Sequence, residues 1–270
     1  MYIGIPEMAP GSTDMLRAPS VASLLVLAAC AHAPNAPVET PDAQGRLPLH
    51  KAAALGDIVA VDACLAQGAN PNRLDGHGAP ALYDAARFGL LVVVERLIRA
   101  GANVDLASSM DGFTPLMAAA SEGQIEAVHL LLDRGAAVGA RDQLTGTTAL
   151  HWAVFASRPS EIRSYRTLSG PHDTYYVPQK DAPLIDLLLA RGAPVNVADK
   201  EGETPLHRAV IFGALPATKA LVAAGADPAI RDRAGRTPLD LARDRVARPG
   251  PWNVPAERQK ILRLLETARR

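Results

Sequence analysis

Aromatic side chains are scarce in this chain, at 4% of residues, although 48% of residues are apolar. Sandwiches and barrels lean on aromatic and β-branched residues, so an apolar fraction built from Ala, Leu and Val favours closely packed helices. Cysteine is nearly absent, with Cys30 and Cys64 the only two. That excludes a disulfide framework or a four-cysteine zinc site within one chain. Neither sign of charge dominates: Lys plus Arg and Asp plus Glu both number 28. No overall field therefore draws the chain to nucleic acid or to an acidic partner. Catalytic signatures are missing too, with no H-E-x-x-H, G-x-S-x-G, P-loop or G-x-G-x-x-G pattern. The sequence points to no enzyme, no metal, no cofactor and no small-molecule substrate.

The apolar run Val21 to Ala29 is nine residues long. It is too short to span a bilayer but suits the apolar region of a secretory signal. It ends in Leu27-Ala28-Ala29-Cys30, which resembles the lipobox of bacterial lipoproteins. The resemblance implies cleavage before Cys30 and acylation of that cysteine, and two or more chains give stable anchoring where one does not. Residues 1–14 carry Glu7 and Asp14 and no base, whereas Met15-Leu16-Arg17 makes a short basic lead-in. Met15 is thus the expected natural start, residues 1–14 an upstream extension and 15–29 the signal peptide. Two alternatives stand beside this: cleavage after Ala31-His32-Ala33 to give a soluble secreted or periplasmic protein, or an accidental apolar stretch. Ala31 in place of Asp favours, by the Gram-negative sorting rule that the resemblance brings, the outer membrane facing the periplasm. From residue 30 to 41, Pro34, Pro37 and Pro41 among small residues read as an extended tether of about 35 Å.

Residues 42–270 repeat themselves. A leucine opening a small-residue helix recurs at Leu49, Leu82, Leu116, Leu150, Leu206 and Leu239, with spacings of 33, 34, 34, 56 and 33. A Gly-Ala pair follows 19 residues later at Gly68, Gly101, Gly135 and Gly225, and is delayed to Gly192 in the fourth unit. Threonine before proline caps a helix start, and glycine ends a helix in the left-handed region. Ala52, Ala53, Ala85, Ala86, Ala119 and Ala120 give the first helix of a unit a small face for close approach. Leu91, Val94, Leu97 and Ile98, then Ile125, Val128, Leu131 and Leu132, give the second helix a larger apolar face, on which Cys64 reads as an inert buried thiol. Glu257, Lys260, Arg263 and Glu266 mark the outer side of a closing helix from Glu257 to Arg270.

With Thr204-Pro205-Leu206-His207 as its clearest copy, this pattern resembles the ankyrin repeat family. The resemblance implies a mainly all-α solenoid of helix-turn-helix units with β-hairpin-like turns. The six repeats fall at about 42–73, 74–106, 107–140, 141–197, 198–230 and 231–270. It also implies that His50, His151 and His207 hydrogen-bond backbone between adjacent repeats, which is a structural role. His129 is a lone imidazole on a second helix. Two stretches exceed the pattern. Residues 158–180 interrupt repeat four with Tyr165, Tyr175, Tyr176 and a local charge of +2, starting where Ser157 replaces the glycine seen at Gly56, Gly89, Gly123 and Gly213. Residues 245–255 lengthen the same turn of repeat six and carry Trp252. Long loops with Tyr and Trp either bind a partner or pack back on the helices.

The expected function is a membrane-tethered scaffold of the bacterial envelope that binds an unidentified protein, with no nucleic acid involved. By resemblance, contacts fall on the hairpin tips and the concave face of the first helices, at Arg73, His77, Met110, Phe113, Gln143, Lys200, Glu203, Arg233 and Arg236. Alternatives are an immunity protein that occludes a periplasmic toxin, an accessory factor for an envelope stress-defence enzyme, or a passive structural component.

Overall fold

The computed structural model describes residues 40–43, 45–157, 160–161, 176–177, 182–247 and 255–268. The signal, Cys30 and most of the tether lie outside the described residues, as do Tyr165, Tyr175 and Trp252. Twelve helices occur among the described residues, in six antiparallel pairs. They are α1 (Pro48–Leu55) with α2 (Ile58–Ala66), α3 (Ala81–Arg87) with α4 (Leu91–Arg99), and α5 (Pro115–Ser121) with α6 (Ile125–Asp133). Then follow α7 (Ala149–Ala156) with α8 (Pro183–Ala190), α9 (Pro205–Phe212) with α10 (Leu215–Ala223), and α11 (Pro238–Ala247) with α12 (Pro255–Ala268). First helices pack on first helices and second on second down the array, so each unit buries its apolar face only against its neighbours. This is the solenoid of helix-turn-helix units that the family resemblance implies.

The alanines explain the close first-helix row. Ala52, Ala53, Ala85, Ala86, Ala119, Ala120, Ala153 and Ala209 are all fully buried beside Leu49, Leu82, Leu116, Leu150 and Leu206. A larger side chain at these positions would push adjacent repeats apart. On the second helices the buried stripe differs from the expected one. Val93, Val94 and Leu97 are buried in α4, and Ala127, Val128 and Leu131 in α6, whereas Leu91 is 36% exposed. Leu91 opens its helix and lies exposed, whereas Ile125 at the same register of α6 is partly buried against the core. Cys64 takes its place on the stripe and is buried, as expected.

Gly68, Gly101, Gly135, Gly192 and Gly225 all have φ between 84° and 89°, the left-handed conformation that lets the second helix stop and the chain reverse. At the turn between helices, Gly56, Gly89, Gly123 and Gly213 are likewise left-handed. Repeat four has Ser157 there with φ −85°, outside the left-handed region. The 158–180 insertion begins at once, and its two ends pair as antiparallel strands, β1 (Ser160–Glu161) and β2 (Tyr176–Val177), with Ser160 opposite Val177. The insertion is thus a hairpin-necked excursion. Repeat six has Val246 at the same position, and α11 runs on to Ala247. Both insertions therefore coincide with a missing left-handed glycine. The closing helix starts at Pro255, ahead of the expected Glu257. Its outer side is polar, but Arg258 turns inward and donates to the Arg245 carbonyl at the end of α11.

Candidate functional site

The hairpins that precede each first helix are organised by one side chain apiece. Asp42, Asp75, Asp142, Asp199 and Asp232 each accept backbone N–H groups from their own turn through a carboxylate oxygen. Ser108 stands at the equivalent place in the third hairpin. Burial alone would raise the Asp142 carboxyl, but hydrogen bonds from Thr145 and Thr147 outweigh it and hold it below the usual range. These residues were missed in the sequence, although Asp followed three residues later by Gly recurs at Asp42, Asp75, Asp199 and Asp232. Adjacent tips are joined laterally: Gly76 N–H donates to Gly45 O, Ser109 to Gly78, Lys200 to Thr145 and Arg233 to Glu201, at 2.7 to 2.8 Å.

The signature histidines lock repeats together. His50, His151 and His207 donate from Nε2 to the carbonyls of Arg73, Glu203 and Arg236, each in the following hairpin, at 2.9, 3.2 and 3.1 Å. Nδ1 of His151 and His207 accepts the backbone N–H of Thr148 and Thr204 in turn. With both ring nitrogens so engaged, the imidazoles are neutral. Burial, reinforced by the Arg208 charge, depresses His151 to about 4. Burial likewise lowers His50 and His207. Tyr83 holds the same position in repeat two and donates to the Asp111 carboxylate of the next hairpin. Thr204 also caps α9 by accepting from His207 N, behind Pro205 in the first turn.

Several tip residues are structural as well as exposed. Arg73 lends its carbonyl to His50, and Arg236 lends its own to His207 while its guanidinium grips Asp232 at 2.8 Å. Lys200 Nζ donates to Gln143 O, and Arg233 lies 3.6 Å from Glu201. His77 is exposed beside Asp75, and Met110 is 69% exposed. His129 is not isolated: Asp133 and Arg191 flank it on the outer surface.

Phe113 sits differently. It is half-buried, 4.7 Å from Trp152 between ring centroids. Trp152 meets Phe155 edge-on at 5.7 Å, and Phe155 meets Phe212 at 5.6 Å. The Arg208 guanidinium lies 5.9 Å from the Trp152 ring and is held by Asp199 at 2.8 Å. Trp152 anchors its indole N–H on Thr147 Oγ1. All four aromatic rings and Arg208 are only partly buried, so this row forms a continuous amphipathic surface from the third hairpin across the first helices of repeats four and five. Phe155 lies five residues before β1, at the insertion neck. The sequence held no signal for the row, because its members lie on three repeats at unequal spacing.

Family models agree with the repeat geometry. An "Ankyrin repeat" model matches residues 44–76, one for three copies of "Ankyrin repeats" matches 82–164, and one for many copies matches 188–242, together more than half of the chain. The chain is an ankyrin repeat protein. It is similar to an ankyrin repeat protein of Fowlpox virus (strain NVSL), 35% identical over 38% of this chain and 24% of that one. It is also similar to the E3 ubiquitin-protein ligase KEG of Arabidopsis thaliana, 32% identical over 40% of this chain and 5% of that one. The chain therefore spans a quarter or less of these relatives, and both matches lie within the length of a few repeats. Among the described residues, no group of three or more His, Cys, Asp or Glu is placed to hold a metal, and no helix is long and apolar enough to cross a membrane.

Proposed function

We propose that this ankyrin repeat protein is a non-catalytic binding scaffold, tethered in a bacterial envelope by acylation of Cys30. It takes a protein partner through the surface from the third hairpin across the first helices of repeats four and five, and through the adjoining insertion. The observation that carries the binding role is the row Phe113–Trp152–Phe155–Phe212 with Arg208 stacked on Trp152. Partly exposed Trp and Arg held rigidly by neighbours are the kind of anchors that dominate protein interfaces, because little side-chain freedom is left to lose on binding. Asp199 and Thr147 supply that rigidity here. Support for the tether comes from the lipobox-like Leu27-Ala28-Ala29-Cys30 and the proline-rich stretch after it.

The test is co-purification of the tagged, full-length chain from membranes of its native host, followed by affinity measurement on the recovered partner. Trp152→Ala is expected to weaken binding at least tenfold, the loss about 1.4 kcal/mol would give, with circular dichroism showing the fold intact. A partner that binds Trp152→Ala as tightly as the parent chain sinks the assignment of this surface. A chain that stays in the soluble fraction with an unmodified Cys30 sinks the tether.

A further inference from the structure

Large apolar side chains are exposed unevenly along the array. Leu55, Val59, Phe88, Leu91 and Val92 are 36 to 63% exposed, and all belong to the helix-to-helix turns of repeats one and two. Leu55 and Phe88 hold the same register position in successive repeats, as do Val59 and Val92. The repeat geometry therefore stacks them into one edge. Leu90 continues it inward, since a methyl group on Gly56 would sit 3.2 Å from the Leu90 side chain. In repeat three the same two positions are Glu122 and Glu126, both exposed. The edge is thus mainly apolar for two repeats and ends where Arg87, lying over the Phe88 ring, pairs with Glu122.

We propose that this edge rests on a lipid bilayer. The inference depends on Cys30 being the acylated anchor. Nine residues separate Cys30 from Thr40, at about 3 Å each, so the tether holds the first repeat within roughly 30 Å of the lipid surface. Leu55 closes α1, which adds about 12 Å beyond Pro48 at 1.5 Å per residue. An apolar patch of this size binds a bilayer weakly by itself, but tethering makes docking intramolecular and raises its effective concentration steeply. Glu122 and Glu126 mark where the array lifts away, because carboxylates lose hydration at an apolar boundary. Hairpin tips and helix turns lie at opposite ends of each first helix. Docking by the turns therefore presents the tips of the first repeats to the aqueous side.

The experiment uses the full, acylated chain in vesicles of phosphatidylethanolamine and phosphatidylglycerol. A polarity-sensitive fluorophore is attached at Val59→Cys or Val92→Cys, with Glu126→Cys and His77→Cys as comparisons; Cys64 is buried and does not compete for label. The expected result is a shift to shorter wavelength and quenching by nitroxide lipids at positions 59 and 92, with no change at 126 and 77. Vesicle flotation separates the two readings. If the chain floats but positions 59 and 92 respond like 77, the anchor stands and the docking edge is overturned. If the acylated chain does not float, both fall. A shift at 59 that needs no vesicles and grows with protein concentration shows that a second copy covers the edge, which also overturns the proposal.

Discussion

Repeats one and five open with the same three residues, Pro48-Leu49-His50 and Pro205-Leu206-His207, and fold into helices of the same length. They differ in the residue before. Thr204 caps α9 and supplies His207 Nδ1 with a partner, whereas Leu47 offers α1 no side-chain cap and His50 Nδ1 is left buried without a hydrogen bond. Repeat five also has neighbours on both sides, while among the described residues repeat one is covered on one side alone. Identical signature residues thus carry unequal stabilisation, because an imidazole bonded at both nitrogens needs the threonine position in front of it as well as the hairpin behind it.

The comparison can be broken most decisively with leucine truncations. Leu206→Ala removes a fully buried side chain from between two repeats and is expected to cost about 4 kcal/mol in urea unfolding. Leu49→Ala should cost about half of that, because an end repeat opens before the array does. Equal losses would mean that the first repeat is as firmly held as the fifth.

Acid should act next most strongly. His151 has a folded pKa of about 4 against an ordinary 6.5, so the unfolded chain binds the proton more readily between these values. Stability is complete above about pH 6.5 and falls as the pH drops toward 4, by roughly 3 kcal/mol at about 1.4 kcal/mol per unit. His151→Gln, which cannot titrate, should flatten that slope measurably in denaturant midpoints taken at pH 7 and pH 5. An unchanged slope would put the acid sensitivity elsewhere.

The smallest change makes repeat five imitate repeat one. Thr204→Val removes the helix cap and strips His207 Nδ1 of the hydroxyl at 2.9 Å. A loss of about 1 kcal/mol is expected, read as a lower thermal midpoint. No loss would show that the threonine cap does not distinguish the two repeats.

Much of this architecture was legible because ankyrin packing is local and periodic. The leucines, the alanine pairs, the left-handed glycines and the histidine bridges each recur at fixed register, so six weak signals reinforced one another. On the second helix of repeat two, Val94 and Leu97 were read correctly, but Val93 rather than Leu91 completes the buried stripe. The hairpin aspartates were present in the pattern but look like ordinary turn residues until their carboxylates are seen accepting backbone N–H groups. The aromatic row was illegible. Phe113, Trp152, Phe155 and Phe212 meet only because repeats three, four and five stack, and the 56-residue spacing around the insertion hides their proximity. The two insertions coincide with Ser157 and Val246, where a side chain replaces the left-handed glycine.

The bridges from His50, Tyr83, His151 and His207 all run forward along the chain, from one repeat to the hairpin of the next. In the last repeat the position is Asp240, which turns back to the N–H and hydroxyl of its own Thr237. A polypeptide synthesised from its amino end therefore completes each latch only after the following hairpin has emerged. Assembly trails elongation by about one repeat, and the unit holding Asp240 closes its own contact to Thr237 without waiting for a following hairpin.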